Sequence, residues 1–266
     1  MFGKKMVATL VAEFLGTGIL ALVFLSVKYT NIGVPWFIAL AAGAAVAVGA
    51  FYFADNADIH MNPAITIAVM TARKIGVALG ALTIVFQLLG AWAAYGVYHY
   101  FVANKLPVIG GNYSARVLFA EAVGTLILAL AWGAVYYRRL QHTNRSLLLG
   151  GSYALAIMVA AGAGLGIANP AVALSIRAWN IWGSMGWGTY LLGPVLGAVI
   201  GVNLYALLFA TNDELVADET LVVAEAVVPA ATTARSSRSS ARTSGAKKTT
   251  TRKTTTRRST TNRRRR

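Results

Sequence analysis

Two copies of one polar tripeptide, Asn62-Pro63-Ala64 in "DIHMNPAIT" and Asn169-Pro170-Ala171 in "IANPAVALSIR", stand 107 residues apart, each after a hydrophobic run. Asn is a good N-cap, and Pro suits the first helical position because its missing N–H would have no partner there. Each tripeptide therefore predicts the start of a short helix. A helix N-terminus carries about half a positive charge, and each Asn amide adds N–H donors. Two such termini aimed at one point would repel cations. They would also commit a water oxygen as acceptor, so that this water could not relay a proton along a file. This is the chemistry of selection rather than of bond making. The remaining candidates are Glu13, Glu121 and His60. The sequence has no cysteine, which excludes disulfides and thiolate sites, and no second His lies near His60. With no nucleophile–base set and no metal cluster, no catalysis, cofactor or metal is expected.

The elements that position these residues follow from composition. The chain is 57% hydrophobic and 12% charged, against about 25% charged in a soluble domain. It is expected to be an integral membrane protein. Six stretches reach the roughly 20 apolar residues a spanning helix needs: 6–27, 34–54, 75–102, 117–137, 146–168 and 187–210. The first follows Lys4 and Lys5 as a signal peptide would, but it carries Glu13 and runs on to Val27, too long for a cleaved segment. Two pieces, 62–71 and 169–178, are too short to cross. With the N-terminus inside, Lys4, Lys5, Arg73, Lys74, Arg138, Arg139 and Arg145 fall on the cytoplasmic side. Lys28, Lys105, Arg116 and Arg177 fall outside. Six spans then return the C-terminus to the cytoplasm.

The chain also repeats itself. "VAEFLGTGILAL" (11–22) matches "FAEAVGTLILAL" (119–130), setting Glu13 over Glu121. "QLLGA" (87–91) matches "GPVLGA" (193–198), setting Gly90 over Gly197. Each unit, about 6–102 and 117–210, holds three spans, so the second must be inverted relative to the first. A functional site is expected near the midplane where the halves meet. The expected fold is thus all-α, with six transmembrane helices and two re-entrant half-helices in an inverted three-plus-three repeat over residues 1–210.

The motifs "AEFLGT", "HMNPAIT", "QLLGA", "AEAVGT", "IANPA" and "GPVLGA", in this order over about residues 6–210, resemble the aquaporin and aquaglyceroporin (major intrinsic protein) family. The resemblance implies a right-handed bundle with a pore in each subunit, usually a homotetramer, in the cell membrane. It implies that Glu13 and Glu121 hold the re-entrant loops and that His60 anchors a loop rather than binding a ligand. A charge in mid-span costs about 2.5–3.5 kcal/mol on insertion scales, so both glutamates must face partners inside the bundle.

The resemblance also implies an outer filter at Ala42, Ile157, Gly166 and Val172. Water-selective members usually carry a bulky aromatic at the first and a histidine at the second, a small residue is expected at the third, and most members carry arginine at the fourth. The filter implied here is wide, apolar and uncharged, and it suits glycerol-sized neutral solutes as well as water. Arg177 lies five residues beyond Val172. On a continuous helix it would point about 140° away. It does fall where glycerol-conducting relatives carry a basic residue, with Leu191 also like them, while Ala173 and Tyr190 are not.

Beyond the repeat, residues 213–225 are acidic, and 235–266 hold thirteen of the 24 Lys and Arg with no acid. The segment 211–266 is expected to be a disordered cytoplasmic tail. A purely solvated role ranks first for it, contact with anionic lipids second and nucleic acid last, since no aromatics are interleaved. Asn112-Tyr113-Ser114 is a glycosylation sequon on the outer side. Two rivals to a channel are a secondary transporter, which would also be an inverted repeat but would need a central ionisable coupling site, and a membrane-anchored nucleic-acid binder.

Overall fold

The computed structural model describes residues 3–29, 35–54, 59–103, 113–138, 140–179 and 186–211. Asp55, Asp58, Lys105, Asn112, Arg139 and the tail beyond Thr211 lie outside them, as do the expectations that fall there.

With proline confined to their first turns, as Pro35 and Pro194 are, long apolar runs make the helices. They are α1 Lys4–Tyr29, α2 Pro35–Tyr52, α4 Val77–Val102, α5 Ala115–Tyr137, α6 His142–Ala160 and α8 Gly193–Phe209. Between them sit the short α3, Pro63–Thr71, and α7, Pro170–Ser175. A π-helical turn, Trp187–Leu192, leads into α8, so the last apolar segment runs Trp187–Phe209. Four helices (α1, α2, α4 and α5) and that last segment are long and apolar enough on their own to cross a membrane. The protein is an integral multi-pass membrane protein with the half-helix architecture expected above.

Two elements depart from the sequence expectation. α6 begins four residues earlier than 146 and ends at Ala160 rather than 168. Its start uses polar His142, Thr143 and Asn144, which suit an exposed helix end. Its early stop falls before Gly162, Gly164 and Gly166, and Gly166 has φ +66°, which no helix accommodates. α7 stops at Ser175, three residues short of the expected 178.

Close packing relies on small residues, as it does where lipid tails remove the hydrophobic drive for helix association. A Cβ on Gly43 of α2 would stand 2.6 Å from the Gly150 carbonyl of α6, and one on Gly150 would stand 2.5 Å from the Gly43 carbonyl. Gly90 meets the Phe14 carbonyl of α1 in the same way, and its repeat mate Gly197 meets the Ala122 carbonyl of α5. The two halves thus repeat one packing scheme: α1 on α4, α5 on α8, α7 against α4 and α1, α3 against α8 and α5.

Candidate functional site

Asn62 and Asn169 cap the two short helices. The Asn62 Oδ1 accepts the Ala64 N–H at 3.0 Å, and the Asn169 Oδ1 accepts those of Ala171 and Val172 at 3.0 and 3.4 Å. With each Oδ1 spent on its own helix, each Nδ2 faces the opposite loop. Asn62 donates to the Ala168 carbonyl at 2.8 Å, and Asn169 donates to the Met61 carbonyl at 2.8 Å. The two helix starts therefore abut through a reciprocal pair of bonds across 106 and 108 residues of chain.

The residue before each Asn makes this crossing feasible. Met61 and Ala168 both take the left-handed backbone, φ +54° and +52°, at about 1–2 kcal/mol each. That turn points each carbonyl at the other loop. The buried carboxyls hold it there. Glu13 of α1 accepts the His60 N–H at 2.7 Å and the Met61 N–H at 2.8 Å. Glu121 of α5 accepts the Ile167 N–H at 3.0 Å and the Ala168 N–H at 2.6 Å. A chain of contacts results: Glu13 sets Met61, whose carbonyl receives Asn169, while Glu121 sets Ala168, whose carbonyl receives Asn62.

The halves are decorated differently. In the first, His60 Nδ1 lies 3.1 Å from Thr66 Oγ1 and Nε2 lies 2.8 Å from the Tyr136 hydroxyl. Gln87 donates to both Glu13 and Thr66 at 2.9 Å. In the second, Ile167, Ala173 and Pro194 stand at the repeat positions of His60, Thr66 and Gln87. There Tyr153 of α6 donates its hydroxyl to the Ile167 carbonyl at 2.9 Å. The sequence reading missed Tyr153. Its position in α6 has no polar mate in the first half, so the repeat gave no signal for it.

The four positions expected to form the outer filter are Ala42 on α2, Ile157 on α6, Gly166 in the loop before α7, and Val172 on α7. All are buried. The structure brings Gly166 directly against the Ile157 carbonyl, so tightly that a Cβ would have no room. Ala42 borders Gly43 at the α2–α6 seam. The helix-wheel argument for Arg177 needs correction. α7 ends before it, and Arg177 is an exposed residue at φ +58° beyond the last turn. Among the described residues no three acidic or imidazole side chains gather as a metal site.

Fold and site together define a multi-pass membrane protein built around two asparagine-capped half-helices. The chain matches the family described as Major intrinsic protein over residues 3–205 and belongs to that family. It is 30% identical over 205 residues to "Glycerol uptake facilitator protein-like 6" of Lactiplantibacillus plantarum, covering 71% of this chain and 92% of that protein. It is also 30% identical over 195 residues to Aquaporin-4 of Mus musculus, covering 67% of this chain and 58% of that one. The X-ray structure of the aquaglyceroporin from Plasmodium falciparum shares its fold, with a TM-score of 0.62 at 24% identity over 76% of this chain and 96% of that one. The protein is thus a channel for water and small solutes and not an enzyme.

Proposed function

We propose that this chain forms a passive pore for water and neutral solutes up to the size of glycerol. Asn62 and Asn169 form its central gate, and Ala42, Ile157, Gly166 and Val172 form an apolar outer filter. The reciprocal Asn–carbonyl pair carries this reading. An Nδ2 has two N–H groups, and the bond to the opposite loop uses one. In each asparagine the second N–H is left for a passing oxygen. Two helix N-termini at the same point add about one positive charge in all, which opposes cations without opposing neutral solutes.

The filter is closely packed in this conformation, since its side chains are out of contact with solvent. It contains no guanidinium, imidazole or indole. With no charged group and no bulky aromatic side chain, it favours neutral solutes larger than water as well as water. We further read the assembly as a homotetramer with a pore in each subunit, residing in the cell membrane with both termini cytoplasmic. The basic tail then faces anionic headgroups.

Stopped-flow light scattering on proteoliposomes tests this. Water and glycerol should both cross faster than through protein-free vesicles. Water flux with no glycerol flux refutes the filter assignment, and flux of neither refutes the channel.

A further inference from the structure

Two tyrosine pairs recur at repeat-related positions outside the central gate. Tyr29 at the end of α1 stacks on Tyr98 of α4, with ring centroids 5.9 Å apart and an interplanar angle of 28°. Tyr137 at the end of α5 stacks on Tyr205 of α8 at 6.3 Å and 20°. Tyr29 and Tyr137 are 108 residues apart and Tyr98 and Tyr205 are 107 apart, the same offsets as Glu13 to Glu121 and Asn62 to Asn169. The inversion therefore places one pair at each end of the molecule.

Each pair joins two helices that pack against one half-helix. α3 packs against α5 and α8, and α7 packs against α1 and α4. Both half-helices finish in one motif. After α3 the Arg73 N–H bonds the Met70 carbonyl and the Lys74 N–H bonds the Val69 carbonyl. After α7 the Arg177 N–H bonds the Leu174 carbonyl and the Ala178 N–H bonds the Ala173 carbonyl. In both the left-handed position is an arginine, at φ +58°, where glycine is usual. From the first motif a cation reaches the tyrosines: Lys74 Nζ lies 3.8 Å from the Tyr137 ring centroid.

We propose that Lys74 with Tyr137–Tyr205 forms a clamp of positioning residues for the pore. It fixes the outer end of α3 and so sets how deeply Asn62 reaches. α3 is short and stiff, about 14 Å long, so freedom at the clamped end becomes tilt at the capped end. There Asn62 must meet the Ala168 carbonyl at 2.8 Å while Glu13 holds the Met61 N–H. The clamp keeps that bond aligned when a solute passes. The functional consequence rests on the channel reading, but the mechanical one does not.

The test compares Lys74→Met with the conservative Lys74→Arg, in reconstituted full-length protein. Hydrogen–deuterium exchange at the Ala64 amide should quicken by about two- to tenfold in the methionine variant, the range expected for losing a cation–π contact. It should return towards wild type in the conservative one. The glycerol-to-water permeability ratio should shift with it, whereas loss of folded channels would scale both fluxes equally. Should Lys74→Met not fold, Tyr137→Leu against Tyr137→Phe gives the same contrast. Unchanged exchange at the Ala64 amide, or equal effects of the methionine and conservative variants, overturns the clamp. A wild type that conducts neither solute refutes the channel reading instead and leaves the exchange result to decide the clamp.

Discussion

Val172 occupies a fully buried position in the turn that begins at Asn169, and its N–H already faces the Asn169 Oδ1. An arginine there would bring a charge and a donor fork to the mouth of the pore. Val172→Arg is expected to cut glycerol flux at least about tenfold, the effect of about 1.4 kcal/mol on a barrier, while water flux persists. Paired stopped-flow traces on one preparation measure it, and equal loss of both solutes counts against Val172 as a filter residue. The carboxyls behave differently because their role is geometric. Glu13 receives the backbone N–H groups of His60 and Met61 and the Gln87 amide. Glu13→Gln keeps the shape but offers one acceptor oxygen in place of two, and it sets an NH2 against a buried N–H. A cost of about 1–3 kcal/mol is expected, read as a lower Tm in detergent together with lost flux.

At the scale of elements, the half-helices carry their strain at both ends. Met61 and Ala168 precede the caps in the left-handed region, and Arg73 and Arg177 follow the last turns there. Only the first pair is held by a carboxyl. Arg73 is exposed, and Lys74 rather than Arg73 lies on the tyrosine ring. Arg73→Gly should therefore relieve backbone strain at little loss of contact, raising stability by about 1 kcal/mol. An unchanged or lower Tm would mean that the Arg73 side chain makes a contact that offsets the strain. The element ends were also the least legible part of the sequence. The six apolar runs, the asparagine caps and the glycine seams could be read because each demands a residue type: length and apolarity for a span, Asn-Pro for a cap, no Cβ where backbones touch. Nothing of that kind marks the left-handed arginines, since glycine is the usual signal and is absent. α7 was read three residues too long for that reason. The early end of α6 was marked by Gly162, Gly164 and Gly166, but their apolar neighbours hid it.

For the whole molecule, the inverted repeat explains what is shared, and its failures show where the halves have separate work. Glutamates, asparagines, glycine seams and tyrosine pairs all keep the 107- or 108-residue offset, so the tyrosines were legible in principle. They were missed because aromatic residues near span ends are common. Tyr153 and the His60–Thr66–Gln87 network break the symmetry, and no repeat argument reaches them. The polar side-chain network beside the carboxyl is thereby concentrated around Glu13, while Glu121 is braced mainly by backbone N–H groups. The strongly basic segment after Pro229 belongs to neither half of the repeat. Deleting residues 230–266 should leave the glycerol-to-water permeability ratio of reconstituted protein unchanged. If lipid contact is the tail's role, the deletion should weaken retention on anionic vesicles in a salt-dependent way, because charges beyond a Debye length of about 8 Å are screened at physiological ionic strength. A changed permeability ratio would mean that the tail reaches the pore, and the channel would then have to be assigned to the full chain rather than to the repeat.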